Sequence, residues 1–274
     1  MKVLDIRGVK VPALGFGTWR LKGRTCRDMV RQAIGIGYRH IDTASIYDNE
    51  EDVGRGIADS GVARHQIFLV TKVWRDQLTA DSITRAAAES RDRLGTDYID
   101  LLLIHWPNRA VPLAETLRAM RHLMEDGRIR HIGVSNFPVA LLRESVEALS
   151  APILANQVEY HPYLSQNHLL DYCRQARIML TAYCPLAEGK AVHEPAIQRI
   201  AAKHKRSAAQ VILRWLLDQD PVAAIPMTAD PDHCRSNFEV FDFELEAEDR
   251  TVIGGLARNR RLIDMGTGYS WDAG

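Results

Sequence analysis

The sequence predicts an α/β protein folded as a (β/α)8 TIM barrel, and three features of the chain predict it. Eight short runs rich in apolar residues recur along the chain, and amphipathic segments separate them. Strands that are apolar on both faces are typical of a parallel sheet covered by helices. A chain of 274 residues has the usual length of one such barrel. We therefore expect residues 1–274 to form a single domain.

The predicted strands hold mostly branched and aromatic side chains and are bounded by turn residues. They are LGFGTW (14–19), HIDTA (40–44), IFLVTKVW (67–74), IDLLLIHW (99–106), IRHIGVSNF (129–137), ANQVEYH (155–161), IMLTAYC (178–184) and VAAIPM (222–227). Before them, VLDIRGVKVP (3–12) predicts an N-terminal β-hairpin that turns at Arg7 and Gly8.

The segments between the strands have apolar residues at helical spacing. The clearest helix is predicted from Thr79, a candidate N-cap, to Leu94, which precedes the stop residue Gly95. The other predicted helices cover about 25–36, 51–58, 113–125, 138–149, 166–176, 195–204, 207–217 and 246–257. Helix and strand alternation of this kind makes consecutive strands parallel.

A doubly wound open sheet is the alternative architecture, but it would need a glycine-rich dinucleotide turn. GFGTWR has Arg20 where the third glycine belongs, and GIGYRH fails at His40. There is no phosphate-binding loop of the GxxxxGK type either. Any nucleotide must therefore be held by something other than a glycine-rich turn.

Charge and cysteine content exclude several classes of protein. Lys plus Arg and Asp plus Glu both number 35, so the formal net charge is zero and no basic stripe predicts a nucleic-acid or membrane partner. The four cysteines are scattered without a CxxC pair, which predicts neither a zinc ribbon nor a disulfide framework. With no signal-peptide pattern at its start and no apolar run of membrane length, the protein is expected to be cytoplasmic.

Polar residues follow three successive predicted strands at the rim where barrel enzymes carry their chemistry. Asp42 ends the second strand with Tyr47 in its loop, Lys72 lies in the third strand, and His105 lies in the fourth. A buried ammonium needs a partner, and Asp42 is the nearest candidate. Taken singly, these residues also suit a structural ion pair, a core histidine and a packing tyrosine.

If the four side chains converge, their chemistry suits protonation of an oxygen that is gaining negative charge. Lys72 would lower the pKa of Tyr47 from its usual value near 10, and Asp42 would hold Lys72 in place. His105 would bind and orient a carbonyl oxygen. This arrangement predicts carbonyl reduction, which also needs a source of hydride.

With these residues in place, the chain resembles the aldo-keto reductase superfamily over nearly its whole length, and in particular its short-looped bacterial members of the 2,5-diketo-D-gluconate reductase type. The motifs that carry the resemblance are GYRHIDTASIYDNE, TKVW, DLLLIHWP, IRHIGVSNF, ANQVEYHPYL, TAYCPL and IPMTADPDHCRSNF. The resemblance implies that Asp42, Tyr47, Lys72 and His105 form the catalytic tetrad. It also implies NADPH as the coenzyme, with NADH possible, and a monomeric protein.

The same resemblance implies a set of coenzyme contacts. Ser135, Asn136 and Gln157 would bind the nicotinamide carboxamide, and Tyr183 would stack on the nicotinamide ring. A helix cap at Asn136 and a core position for Tyr183 are the simpler roles. The remaining implied contacts are Thr18, Trp19, Asp42, Cys184, Pro185, Leu186, Pro226, Met227, Thr228, His233 and Asn237.

The adenosine-phosphate segment departs from the family pattern. Met227 stands where the family has lysine, and His233 stands where it has arginine, with Asp230 and Asp232 nearby. A 2′-phosphate is normally held by Lys or Arg. We therefore expect only a weak preference for NADPH, or use of both coenzymes, with Thr228 and Arg235 as the residues that could compensate.

Aromatic residues predict a substrate pocket at the same rim. The predicted substrate contacts are Trp19, Tyr47, Trp74, His105 and Trp106, although the tryptophans also suit a core. The loops after Trp106 and Pro185 are short, so the C-terminal tail, about 262–271, is the remaining candidate to cover the rim. An open pocket of this kind predicts small carbonyl substrates: short aldehydes, α-dicarbonyls such as methylglyoxal, β-keto esters or keto-sugar acids.

Two other functions remain open at this point. A metal-dependent barrel hydrolase could use His40, Asp42, His105 and His161, although no HxH or HExxH spacing is present and no metal is predicted. A catalytically idle, nucleotide-binding regulatory protein is the other alternative. The complete tetrad favours the reductase over both.

Overall fold

The N-terminal hairpin lies at one end of a barrel in the computed structural model, which describes residues 1–272. Strands β1 (Val3–Ile6) and β2 (Val9–Pro12) pair antiparallel. Arg7 and Gly8 between them have φ angles of 53° and 88°, the left-handed values that a two-residue hairpin turn requires. The Arg7 guanidinium donates to the carbonyl oxygen of Ile153, where a barrel strand begins. The predicted hairpin is thus confirmed.

Eight parallel strands form the barrel, and all eight predicted strands are confirmed in their predicted order. They are β3 (Phe16–Gly17), β4 (His40–Asp42), β5 (Phe68–Val73), β6 (Ile99–Ile104), β7 (Ile129–Ser135), β8 (Ile153–Glu159), β9 (Met179–Tyr183) and β10 (Val222–Ala224). Strands β3 and β10 close the ring, since Gly15 N donates to Ala224 O at 2.9 Å and Ala224 N donates to Ala13 O at 2.9 Å. Side chains of the central strands are buried on both faces, as a sheet covered by helices requires.

Helices follow the strands and cover the outside of the barrel. They are α1 (Gly23–Ile36), α2 (Glu50–Asp59), α3 (Ala80–Leu94), α4 (Leu113–Glu125), α5 (Val139–Arg143), α6 (Asn167–Ala176), α7 (Pro195–His204), α8 (Ala208–Leu217), α9 (Pro231–Phe238) and α10 (Ala247–Gly254). Helix α3 begins after Thr79 and ends before Gly95, whose φ is 62°, as predicted. No helix within residues 1–272 combines the length and the apolarity that crossing a membrane would demand.

Helix α9 was not predicted, because its sequence lacks an apolar stripe. Only Cys234 and Asn237 are buried in it. The helix instead depends on its first turn, where the Asp230 carboxylate accepts from the backbone N–H groups of Asp232 and His233 and Pro231 supplies a helical φ. An Asp-Pro pair is a start signal, and it could have revealed the helix.

The predicted helix over 138–149 is interrupted. Helix α5 ends at Arg143, and one π-helical turn follows over Glu144–Ala148. Within this turn the Ser145 hydroxyl donates to the carbonyl oxygen of Leu141 at 2.9 Å. A side-chain donor at that carbonyl competes with the regular helical bonding pattern, which explains the irregular turn.

One glycine brings the first barrel strand unusually close to the last. A Cβ at Gly17 would lie 2.7 Å from the carbonyl oxygen of Ile225, and Gly17 N donates to Pro226 O at 3.0 Å. Only glycine tolerates this approach. It seals the barrel next to the rim where the polar strand ends meet.

Candidate active site

A buried ion pair lies between two neighbouring strands at the C-terminal rim. Asp42 is the last residue of β4 and pairs with Val70 on β5, so Lys72, two residues further along β5, projects from the same face. Lys72 Nζ lies 2.5 Å from Asp42 Oδ1, and their side chains are 0% and 2% exposed. The pairing expected from the sequence is therefore present.

The remaining polar atoms of this pair have partners as well. Lys72 Nζ donates to the carbonyl oxygen of Thr43 at 2.7 Å, and Gln157 Nε2 donates to Asp42 Oδ2 at 2.7 Å. Both charges are therefore held in a single geometry, because a fully buried ion pair with additional hydrogen bonds has little freedom to move.

Tyr47 lies above the ion pair. It ends a short 3-10 turn, Ser45–Tyr47, that follows β4, and its hydroxyl oxygen lies 3.5 Å from Lys72 Nζ. The ammonium is also 5.0 Å from the centroid of the tyrosine ring. On the outside of the loop, Lys22 Nζ donates to the carbonyl oxygen of Tyr47. Lys72 and Lys22 thus contact Tyr47 from opposite sides of the loop, and the phenol is directed to the rim.

The expectation that the pKa of Tyr47 is lowered below its usual value is wrong. Burial, followed by the Asp42 carboxylate, holds the pKa of the Tyr47 hydroxyl well above its usual value of 10. The ammonium is compensated by Asp42 at 2.5 Å and lies further from the hydroxyl, at 3.5 Å. Desolvation of the phenolate therefore outweighs the attraction of the ammonium, and Tyr47 remains a neutral O–H donor.

His105 follows β6 and completes the cluster. Its ring makes edge-on contacts with Tyr47 at 5.6 Å and with Trp74 at 5.1 Å between centroids, and the residue is 8% exposed. Its Nδ1 is buried and has no hydrogen-bond partner among residues 1–272. A buried N–H without an acceptor is rarer than a buried lone pair, so the neutral tautomer with the proton on Nε2 is favoured.

His105 also gives the stability of the protein a pH dependence. Burial, together with the Lys72 ammonium, holds the pKa of His105 well below 6.5. The unfolded chain takes up a proton near pH 6.5 while the folded protein does not. The free energy of unfolding is therefore highest above that pH and falls below it, by up to about 1.4 kcal/mol per pH unit.

We expect His105→Gln to flatten this slope in urea unfolding between about pH 7.5 and 5.5. His40 is a second histidine for comparison, because burial lowers its pKa as well and it lies in the same barrel. His40→Gln should remove a separate part of the slope. An unchanged pH dependence in His105→Gln would contradict the assignment of a neutral, buried imidazole.

Amide and hydroxyl groups form a second hydrogen-bonded cluster on β7, β8 and β9. Tyr183 Oη donates to Asn136 Oδ1 at 2.8 Å, and Asn136 Nδ2 donates to His105 O and to Ser135 Oγ, each at 3.0 Å. Ser135 Oγ in turn donates to the carbonyl oxygen of Gln157 at 2.8 Å. Asn136 makes no helix cap, since its φ of 62° places it in the left-handed region and Pro138 precedes α5.

The clusters border one pocket of about 660 Å³. Most residues predicted to bind coenzyme or substrate line it: Thr18, Trp19, Asp42, Tyr47, Trp74, His105, Trp106, Asn136, Gln157, Tyr183, Cys184, Pro185, Leu186, Pro226 and Met227. Lys72 lies directly beneath the pocket through its bonds to Asp42 and Tyr47. A volume of several hundred Å³ with aromatic walls and a few polar groups is typical of a small-molecule site.

Four predicted coenzyme residues do not line this pocket. Ser135 is buried beneath it, and Asn237 is buried in α9. Thr228 and His233 lie outside it, next to Asp230 at the start of α9. The Asp230 carboxylate accepts hydrogen bonds from the backbone N–H groups of Asp232 and His233, at the N-terminus of α9. A negative charge thus occupies the backbone donors that could otherwise attract a phosphate.

Cys184 lines the pocket as a neutral thiol. Burial, followed by the charge of Glu159, raises its pKa to about 12. The four cysteines Cys26, Cys173, Cys184 and Cys234 are all free. A reactive thiolate is thus absent from the pocket wall at neutral pH.

Several pocket residues were missed by sequence reasoning. Ile46 adds apolar wall, and Gly17, Arg20, Lys22, Glu188, Gly189 and Ile225 complete the rim. Ile263 and Met265 also line the pocket, and they belong to the 262–271 tail that was expected at the rim. Arg20 pairs with Glu188 at 2.9 Å across the mouth. Ile46 lies within the GYRHIDTASIYDNE motif and could have been noticed, whereas no sequence pattern links Arg20 to Glu188.

The four residues considered for a metal-dependent hydrolase do not assemble into a ligand set. His40 Nδ1 bonds the carbonyl oxygen of Pro12, and His161 Nε2 bonds Glu159. Among residues 1–272, no group of three His, Cys, Asp or Glu side chains could hold a metal ion. The fold and pocket instead define a (β/α)8 barrel whose acid–base side chains converge at the C-terminal rim.

Comparison with known proteins places the chain in a family. The model of the aldo/keto reductase family matches residues 13–257. The chain belongs to this family. Methylglyoxal reductase DkgB of Escherichia coli O157:H7 is 41% identical over 266 residues, covering 96% of this chain and 99% of the relative. Glyoxal reductase of Bacillus subtilis strain 168 is 43% identical over 256 residues, covering 93% of this chain and 92% of the relative.

A solved structure agrees with this assignment. The crystal structure described as a putative 2,5-diketo-D-gluconic acid reductase B has a TM-score of 0.96 and 41% sequence identity, covering 100% of this chain and 98% of that one. The protein is thus an oxidoreductase of a carbonyl-reducing family.

Proposed function

We propose that the protein reduces the carbonyl group of small aldehydes and ketones with NADPH, and that Tyr47 is the general acid. The observation that carries the proposal is the position of Lys72 Nζ, 2.5 Å from Asp42 and 3.5 Å from the Tyr47 hydroxyl, beside a neutral His105 under one pocket. A reduced nicotinamide supplies the hydride when it is bound.

Tyr47 gives its proton to the carbonyl oxygen as negative charge develops there. The pKa of the Tyr47 hydroxyl lies above its usual value, so Tyr47 carries its proton at neutral pH but is a weak acid that needs its phenolate stabilised. The phenolate left behind faces the Lys72 ammonium at 3.5 Å, which stabilises the charge at the moment it forms. This attraction offsets part of the cost of forming the phenolate in a buried site.

His105 holds the carbonyl oxygen in position for this transfer. With its proton on Nε2 and no charge of its own, it offers one N–H donor to the substrate oxygen. Its contacts with Tyr47 and Trp74 fix the orientation of the ring. Donor and acid thus approach the same oxygen from the loop after β4 and from the end of β6, on either side of β5.

The residues present fit a nicotinamide coenzyme. Gln157 retains one N–H and its carbonyl oxygen after bonding Asp42, so it can bind an amide. The Tyr183 ring borders the pocket while its hydroxyl is held by Asn136, which leaves the ring face for stacking. Pro185 and Leu186 line the route along which the rest of the coenzyme would extend.

The charge balance of the pocket favours uncharged substrates. Arg20 is paired with Glu188, and Lys22 donates to two carbonyl oxygens and to Asp48. A substrate carboxylate would therefore have to compete with Glu188 for Arg20 and with Asp48 for Lys22. Aldehydes, α-dicarbonyls such as methylglyoxal and β-keto esters fit this site better than keto-sugar acids.

The test is a coupled measurement of substrate and coenzyme. Purified protein is incubated with NADPH and methylglyoxal, 4-nitrobenzaldehyde or a β-keto ester, and coenzyme oxidation is compared with the amount of alcohol formed. Equal amounts of both are expected. Coenzyme binding without alcohol formation from any carbonyl would favour the idle regulatory protein instead.

The coenzyme preference is a separate prediction. Met227 adds no charge to the pocket wall, and the Asp230 carboxylate occupies the N-terminus of α9. We expect kcat/KM for NADPH to exceed that for NADH by less than ~10³, about 4 kcal/mol. Met227→Lys should increase this ratio by at least ~10-fold, the effect of one charged hydrogen bond to the phosphate.

Met227→Leu is the matched control for this ratio, because it changes the side chain without adding charge. A ratio above ~10³ in the wild type would mean that other groups bind the 2′-phosphate strongly. An unchanged ratio in Met227→Lys would show that position 227 does not face that phosphate.

A further inference from the structure

Glu159 is a buried carboxylate that the proposed reaction does not use. It is the last residue of β8, two positions after Gln157, and its side chain is 0% exposed. A carboxylate withdrawn from water in this way must have its oxygens saturated by donors, or its burial costs several kcal/mol. The identity of those donors shows what the residue does.

Three N–H groups surround the Glu159 carboxylate. Oε1 accepts from His161 Nε2 at 2.9 Å and from the backbone N–H of Leu262 at 2.7 Å, and Oε2 accepts from the backbone N–H of Ile263 at 2.9 Å. His161 Nδ1 accepts from Tyr163 N at 3.3 Å, so the proton of the neutral ring lies on Nε2. Two of the three donors therefore belong to the backbone of the C-terminal tail.

The tail that these bonds hold forms part of the pocket. After Leu262 and Ile263, the chain continues to Met265, and the side chains of Ile263 and Met265 line the pocket wall. Arg75 Nη1 donates to the carbonyl oxygen of Met265 at 3.0 Å from the β5 side. The backbone around this wall is thus bonded at three places: at Arg260, whose N–H donates to Tyr163 O at 3.0 Å, at 262–263 through Glu159, and at Met265.

We propose that Glu159 is a positioning residue that fastens the C-terminal tail to the barrel and so sets the apolar wall against which larger substrates bind. Two adjacent backbone N–H groups need two acceptor oxygens, and an ionised carboxylate supplies both with charge-assisted bonds. An amide of the same shape would turn an NH₂ group toward one of these N–H groups. The effect of Glu159 on KM rests on the proposed reductase activity. Its effect on the position of the tail does not.

The kinetic test compares substrates of two sizes in Glu159→Gln. KM for 4-nitrobenzaldehyde should rise by at least ~10-fold, the effect of losing a charge-assisted bond that holds the wall. KM for methylglyoxal and kcat for both substrates should change by less than ~2-fold, because Tyr47, Lys72 and His105 keep their partners. A fall in kcat that is equal for both substrates, with unchanged KM, would overturn the proposal.

A second readout does not depend on activity. Arg261 immediately precedes Leu262, and its Nη1 is buried while its guanidinium stacks on Trp271 at 3.6 Å. Trypsin should cleave after Arg261 at least ~10-fold faster in Glu159→Gln than in the wild type, because local release of the tail exposes this bond. Mass spectrometry identifies the cut. Equal protection in both proteins would overturn the proposal whether or not the protein reduces carbonyls.

Two further variants keep the test decisive. Ile263→Pro removes one of the bonded N–H groups with Glu159 intact and leaves the Arg261–Leu262 bond unchanged, so it should reproduce the tryptic cut even if Glu159→Gln does not fold. Asp100→Asn is the matched control, a buried carboxylate that accepts the Leu69 N–H on β5 and pairs with Arg64 and Arg130. It should change neither the KM ratio nor the protection at Arg261.

Discussion

Replacing Tyr47 by phenylalanine is expected to lower kcat for carbonyl reduction by at least ~10², the lower end of acid-catalysis effects. The ring and its edge-on contact with His105 are retained, so the pocket keeps its shape. What is lost is the hydroxyl group that lies 3.5 Å from the Lys72 ammonium. Steady-state kinetics with methylglyoxal and NADPH measures the effect, and KM for the coenzyme should change little.

Tyr160→Phe is the matched control for this loss. Its hydroxyl also donates a hydrogen bond, at 2.7 Å to Gln219 Oε1, but it is remote from the pocket. It should cost about 1 kcal/mol of stability and leave kcat within ~2-fold. Turnover by Tyr47→Phe equal to that of the wild type would remove Tyr47 from the role of general acid.

Lys72→Met is expected to impair both stability and catalysis. The variant leaves the Asp42 carboxylate buried with only the Gln157 amide as a partner. An uncompensated buried charge of this kind lowers the free energy of unfolding by about 3–5 kcal/mol. Without the ammonium, the Tyr47 phenolate is not stabilised as it forms, and kcat should fall by at least ~10².

The double variant Asp42→Asn/Lys72→Met separates these two effects. It removes both charges and leaves an acceptor for Gln157, so most of the lost stability should return in urea unfolding. Its kcat should remain as low as that of Lys72→Met. A double variant as unstable as the single one would mean that packing, and not the unpaired charge, causes the loss.

The strands and most helices were predictable because they are local features. The run around Lys72 is apolar on both sides of the strand whatever it packs against, and Gly95 ends α3 because its φ of 62° suits glycine. Helix α9 was not predicted, because it has almost no buried apolar face and depends on the Asp230 cap. The π turn over Glu144–Ala148 was not predicted either, because it arises from a single hydrogen bond of the Ser145 side chain.

The grouping of the polar side chains at the rim was predictable to the level of residue type and strand position. Three successive strand ends carried Asp42, Lys72 and His105, and parallel strands bring such ends to one rim. The direction of the Tyr47 pKa was predicted wrongly. The sequence shows that a cation is near the phenol, but not that burial of the hydroxyl, followed by the Asp42 carboxylate, raises the pKa of that phenol.

The sequence by itself determined the order of strands and helices and the chemical groups at each strand end, because apolar periodicity and turn residues act over a few neighbouring positions. Only the tertiary structure decided that the Tyr47 hydroxyl stays protonated, that His105 is uncharged, and that Glu159 accepts a hydrogen bond from a residue 103 positions away. Protonation and tail position depend on burial and on distances between groups far apart in the chain. Those quantities exist only once the barrel has closed.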